Sequence, residues 1–191
     1  MGIPGGGEIS AALRGLAFVL RGDPRALHCY DLTADGFWRS FVLPLVAMAL
    51  YFLLQQPTEM ELAGWEGNEI GFGLVLAGQY LSTWIAYLAC VLLLVRGFQL
   101  QGSYPAFVIL YNWAQGITLA ATLPVLAASQ WDLLPPGALE GWHFALLVVW
   151  LYIVAQIARL ALGAGLAAAM AAASLDLAVT ILLHRLFSLL G

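Results

Sequence analysis

Asp176 lies inside the run Ala171-Ala172-Ala173-Ser174-Leu175-Asp176-Leu177-Ala178-Val179-Thr180, and Thr180 and His184 follow it at i+4 and i+8. On a helix those positions share one broad face, so a carboxylate, a hydroxyl and an imidazole form a row. Such a row has the chemistry of a proton or cation path. An aspartate at the centre of a membrane helix costs roughly 2.5–3.5 kcal/mol, so it must be paired or used. The simpler reading is a hydrogen bond from Asp176 to a polar residue of a neighbouring helix, locking a bundle. This lock is preferred, because a lone acid is weak evidence for transport. Partners for it are visible. Gln79, Ser82 and Thr83 share a face, Asn112, Gln115, Thr118 and Thr122 form a loose polar stripe, and Gln156 stands in a further apolar stretch. Amides and hydroxyls of this kind bond across membrane helices at about 0.6 kcal/mol each.

These side chains need apolar elements to carry them, and the composition supplies those. The chain of 191 residues is 62% hydrophobic and 9% charged, with a net charge of −4. A soluble domain carries about 25% charged residues. Seven Arg and no Lys leave no basic footprint for a nucleic acid. Five stretches approach the roughly 20 apolar residues needed to span a bilayer. They run over residues 37–54, 70–95, 105–128, 142–157, and from the Gly163-Ala164-Gly165 turn to residue 190. The first is predicted to end at the polar break Gln55-Gln56-Pro57. Pro105 suits the first turn of the third. The predicted fold is all-α: a polytopic transmembrane bundle of about five spans (residues 37–191), preceded by a segment of residues 1–36.

Arginine placement orients the bundle. Arg14, Arg21, Arg25 and Arg39 precede or open the first span, and Arg96 and Arg159 fall in the second and fourth connections. Glu59, Glu61, Glu66, Glu69, Asp132 and Glu140 occupy the opposite side, and only Arg185 disagrees. The positive-inside rule then predicts a cytoplasmic amino terminus in a bacterial inner membrane. Trp38, Trp65, Trp131 and Trp142 fall near the predicted interfaces, whereas Trp84, Trp113 and Trp150 read as packing or lipid-facing bulk. Residues 1–7 read as a Gly/Pro-rich tail without a packing role. Residues 9–21 show helical periodicity through Leu13, Leu16, Ala17 and Leu20, with Arg14 and Arg21 on another face. Two placements stay open for this amphipathic helix: in the headgroup plane with both Arg on phosphates, or against the bundle. Gly22-Asp23-Pro24 ends it, and Thr33 or Asp31 caps the next helix, where Trp38 and Arg39 anchor the first span at the membrane surface.

Small residues at every fourth position, Gly165, Ala169 and Ala173, form a close-approach face for the bundle or for a second subunit. The three His do not cluster, Cys29 and Cys90 are expected to stay reduced, and no nucleophile elbow, zinc motif or phosphate loop occurs. No catalytic residues, metal or cofactor are therefore expected.

Gly22-Asp23-Pro24-Arg25 ahead of the bundle, Gln101-Gly102-Ser103-Tyr104 leading into the third span, and that span's course through Leu110 and Tyr111 to Pro124 resemble the bacterial branch of the Yip-domain family, named for Rab-GTPase-interacting proteins. Of the eukaryotic members' Asp-Leu-Tyr-Gly-Pro only Asp31-Leu32 is matched, so a Rab-binding role is not carried over. The resemblance implies a membrane-embedded scaffold or trafficking-like protein with no catalytic residues to transfer. The expected function is a non-enzymatic scaffold or accessory subunit acting through helix and lipid contacts, in company with the bilayer and other membrane subunits or copies of itself. The alternative is a small proton- or ion-coupled transporter or channel using Asp176.

Overall fold

The computed structural model of the protein describes residues 5–63, 69–100, 102–131, 133–135 and 137–187, the side chains of 55–63 and 69 excepted. Trp65, Glu66, Gln101, Asp132 and residues 188–190 therefore lie outside the described residues, as do the side chains of Glu59, Glu61 and Glu69. The architecture is an all-α bundle: α1 (Gly6–Leu20), a 3-10 turn (Pro24–Cys29), α2 (Ala34–Arg39), α3 (Val42–Ala63), α4 (Glu69–Gly97), α5 (Tyr104–Gln130), α6 (Ala138–Leu162) and α7 (Leu166–Phe187). Among the described residues five stretches are long and apolar enough to cross a membrane: Ala34–Leu54, Ile70–Gly97, Tyr104–Gln130, Ala138–Leu162 and Leu166–Phe187. That is compatible with a multi-pass membrane protein.

Contacts between the helices fix their directions. Tyr104 and Trp84 link α5 to α4 in opposite sense, through bonds to the Leu88 carbonyl and to Asn112. Gln79 with His184, and Tyr87 with the Ala172 carbonyl, do the same for α4 and α7. By contrast α3 and α5 run parallel, since Leu43 faces Gly116 and the Leu54 carbonyl accepts from Gln130. The helices close a ring in the order α3, α5, α6, α7, α4. The middle of α5 is its most enclosed stretch, with every residue from Ala106 to Ala114 buried.

Local chemistry explains the ends. The Ser103 side chain accepts from the Ala106 amide at 3.3 Å, with Pro105 in the first turn, as predicted. Gly163 closes α6 at φ +63°, a left-handed conformation that glycine adopts without steric cost. α6 is longer than the predicted 142–157, because Ala138, Leu139 and Leu160 are good helix formers and only Gly163 stops them. The first span differs more. It is broken at Ser40 and Phe41 between α2 and α3, and the backbone stays helical past the expected stop at Gln55-Gln56-Pro57. What ends at Leu54 is apolarity; the Gln, Glu, Met and Leu that flank Pro57 all favour helix.

Ahead of the bundle, α1 is docked rather than floating. Its buried stripe is Ala12, Gly15 and Val19, one position away from the predicted Leu13, Leu16, Ala17 and Leu20, and it leaves Leu13 51% and Leu20 40% exposed beside Arg14 and Arg21. Small residues win that face because the Tyr30 ring lies directly on Gly15 and its hydroxyl donates to the Ala12 carbonyl at 3.2 Å. Burial pushes the Tyr30 phenol above its ordinary range. The Tyr152 hydroxyl ties α6 to the Leu20 carbonyl at 3.0 Å. The predicted tail also changes, since Gly6 and Gly7 already belong to α1. Of the two candidate caps for α2, Thr33 accepts from the Gly36 amide at 3.2 Å, and Asp31 in turn accepts from the Thr33 amide and hydroxyl. Trp38 is 56% exposed, as an interfacial residue would be. Arg39, in contrast, is ion-paired with Asp31 and Glu8, so it braces α2 to α1.

Two outcomes follow. A Cβ at Gly116 would stand 2.7 Å from Leu43 Cγ and 2.9 Å from the Pro44 nitrogen. Gly116→Ala is therefore expected to destabilise the protein by about 1–3 kcal/mol, measured by denaturant unfolding in detergent micelles. The Thr33 hydroxyl, then the Thr33 amide and Arg39, hold the Asp31 carboxyl below its ordinary 3.8. A depressed carboxyl stabilises the fold above its unfolded-state value and loses that effect as pH falls through its folded one. Amide exchange across residues 33–40 should thus be flat from pH 7 to 5 after correction for intrinsic rates, and rise only below about 3.8.

Candidate functional site

The ring of helices encloses a partly open cleft of about 400 Å³ to which all five spans contribute. Its floor is set by residues at mid-span. Asp176 lies ten residues from the start of α7 and eleven from its end, about 15 Å from either at 1.5 Å per residue. The Tyr111 hydroxyl donates to Asp176 Oδ1 at 2.8 Å, and the Trp150 indole N–H donates to Oδ2 at 2.8 Å. The carboxylate is 7% exposed, and its two protein partners are neutral donors. No Arg lines the cleft among the described residues.

Below this floor, toward the end that carries α1, the interior is sealed. Tyr87, Phe107 and Tyr111 form a buried aromatic layer, with ring centroids 4.9 Å apart for Tyr87 and Tyr111 and 5.9 Å for Phe107 and Tyr111. Above the floor, Thr180 and His184 continue along α7 toward the opposite end. There His184 Nδ1 lies 3.0 Å from Gln79 Nε2. The predicted row of Asp176, Thr180 and His184 therefore does line one space. Tyr80 and Gln115 stand on facing walls. Their side chains are close enough to attract each other, yet the Tyr80 hydroxyl and Gln115 Oε1 are buried without a well-formed hydrogen bond.

Other expected partners of Asp176 are elsewhere. Asn112 accepts from Trp84 Nε1 at 3.1 Å and donates to Ser40 Oγ at 2.9 Å, which binds α4, α5 and the α2–α3 turn together. Gln156 sits beside Gly22 near α1 and accepts from Arg159 at 3.5 Å. The residues that do hold Asp176 are Trp150, read from sequence as bulk, and Tyr111, read only as part of a motif. Both belong to types with a large apolar body and one polar tip, so hydropathy counts the body and overlooks the tip. Trp84 and Trp113, both buried in the core, pack as expected, and Trp84 adds its bond to Asn112.

Three further expectations can be placed. Ala169 and Ala173 are buried within the bundle, leaving only Gly165 of that small-residue face exposed. Gly22-Asp23-Pro24-Arg25 and Gly102-Ser103-Tyr104 serve turns and caps away from the cleft. Asp23 caps the 3-10 turn through the Arg25 amide, and Gly102 lies against the Ala161 carbonyl, where a side chain would not fit. Cys29 and Cys90 are both free thiols, and among the described residues no three His, Cys, Asp or Glu converge on a metal position.

The energetics separate a lock from a working group. Interhelical bonds return about 0.6 kcal/mol each, so two give less than the roughly 2.5–3.5 kcal/mol of placing the acid there. Tyr111→Phe or Trp150→Phe alone should cost about 1–3 kcal/mol, each leaving a carboxylate oxygen without its donor. The triple change Asp176→Leu, Tyr111→Phe, Trp150→Phe should unfold no earlier than the native protein, as apolar replacement of a complete buried network often does. Thermal unfolding in micelles checks both; a triple variant much weaker than native would make Asp176 a structural lock. Comparison with models of known families, with curated proteins and with solved structures finds no match to this chain.

Proposed function

We propose that the protein is a small proton- or ion-coupled membrane transporter whose working site is the five-helix cleft, with Asp176 carrying the exchanged charge. One observation carries this reading: every span delivers side chains to one cleft whose floor is a carboxylate without a charged partner among the described residues. Its counter-charge must then come from a proton or a ligand. From Asp176 the lining of the cleft runs away from α1 along Thr180 and His184, and on the α1 side lies the Tyr87, Phe107 and Tyr111 layer, which suits a site exposed to one side at a time better than an open channel. Thr180 and His184 serve as the approach, the imidazole being a group that exchanges protons near neutral pH.

The end carrying α1 also carries Arg14, Arg21, Arg25, Arg39, Arg96 and Arg159. We assign it to the cytoplasm of a bacterial inner membrane by the positive-inside rule, which turns the cleft outward. A scaffold or accessory subunit, Yip-like or otherwise, would use the exposed surface, where Ile70, Leu74, Ile85 and Leu93 are the side chains expected against lipid. That role leaves the cleft without a task.

Proteoliposomes with a pH-sensitive dye inside provide the test under an imposed proton gradient. The native protein should acidify the lumen above protein-free vesicles. Asp176→Asn should return the rate to background, at least tenfold down, while His184→Ala and Thr180→Ala slow it several-fold. Flux untouched by Asp176→Asn would refute the proposal.

A further inference from the structure

We infer that the cleft takes a protonated amine with an apolar body. The inference rests on the functional reading above and adds a substrate class to it. Charge comes first: among the described residues Asp176 is the acid of the cleft, and the one basic group lining it, His184, is at the end away from α1, beside Gln79. A cation is therefore the complement of the floor.

The walls decide which cation. Tyr51, Phe52, Tyr80, Trp84, Tyr111 and Trp150 present six aromatic rings around the space. Ring faces attract an organic cation, with Trp the best of them. A metal ion would instead demand several oxygen ligands, about six to eight for calcium. This floor offers a single carboxylate, with both oxygens already accepting hydrogen bonds. A bare proton needs no cavity at all, whereas about 400 Å³ falls within the roughly 300–1,000 Å³ of ligand pockets.

The unmet polar atoms point to N–H donors on the ligand. Gln115 Oε1 and the Tyr80 hydroxyl near it attract each other but are buried without a well-formed hydrogen bond, so both have capacity to spare for a ligand. An ammonium group donates to Asp176 or Gln115 while its alkyl or aryl body contacts the rings. A quaternary ammonium would satisfy the charge and leave Gln115 Oε1 unbonded.

The probe is phenethylammonium chloride, titrated calorimetrically into the detergent-solubilised full chain at pH 7, with neutral 2-phenylethanol of nearly the same shape as reference. Phenethylammonium should bind at least tenfold more tightly than 2-phenylethanol, and Asp176→Asn should erase that difference. Tyr80→Leu should weaken the amine several-fold, and it carries the test if Asp176→Asn does not fold. Benzyltrimethylammonium should bind more weakly than phenethylammonium, and sodium chloride at equal concentration should not compete. Equal binding of amine and alcohol, amine binding indifferent to both variants, or no binding of the amine would each overturn the inference. Asp176-dependent proton flux without amine binding would sink the substrate class and leave the transport reading standing. Asp176-dependent amine binding without any flux would do the reverse.

Discussion

The fold is organised by the rule that a polar group in hydrocarbon must find its partner inside the protein, and the sharpest instance is Asp176. Through Trp150 and Tyr111 that one carboxylate joins α7 to α6 and to α5. Similar bonds repeat around the ring. Asn112 joins α5 to α4 and to the α2–α3 turn, and the Tyr87 and Tyr104 hydroxyls reach the Ala172 and Leu88 carbonyls. None of these bonds is strong alone. Together they select one arrangement of five helices whose apolar surfaces would otherwise pack in several ways.

Close approach and bulk are divided among the helix contacts of the bundle. Glycines and alanines bring helices together where contact is tight: Gly116 against Leu43, Gly102 against the end of α6, and Ala169 and Ala172 inside α7. Aromatic side chains hold them apart around the cleft, because rings facing one another across the bundle cannot interdigitate as aliphatic chains do. The space is therefore a consequence of which residues face inward, and its polar floor is a consequence of where Asp176 falls among them. The amino-terminal segment adds a brace at the closed end, with Arg39 linking Glu8 and Asp31 and Tyr30 seated on Gly15.

Periodicity and apolar run length made the five helices legible in the sequence, since crossing hydrocarbon demands both. The importance of Asp176, and the row it forms with Thr180 and His184, could be read for the same reason. Its partners could not. Gln and Asn advertise hydrogen bonding in one dimension, so Asn112 and Gln156 drew attention, yet Asn112 serves α4 and the α2–α3 turn and Gln156 serves Arg159 on its own helix. Trp150 and Tyr111 are 26 and 65 residues from Asp176 in sequence, and only the ring order of helices brings them to it. The docked face of α1 was misread because hydrophobicity marks large residues, whereas a face under an aromatic ring must be small. Where a face meets a ring, size outranks hydropathy.

Tyr111 belongs to two layers at once, and this gives the cleft its physical logic. Its hydroxyl holds Asp176 from below, while its ring stacks on Tyr87 and Phe107 in the layer that closes the inner half. A proton or cation arriving at Asp176 draws charge from the oxygen that Tyr111 donates to and weakens that bond. The ring that carries the hydroxyl cannot move without disturbing its neighbours. In the proposed transporter, charge at the floor and closure of the inner half would be coupled through this one side chain. A site open to one side needs such a link, because occupancy must be felt by the barrier on the other side. In a purely structural lock the carboxylate would be better held by partners outside the barrier, where its titration would disturb nothing.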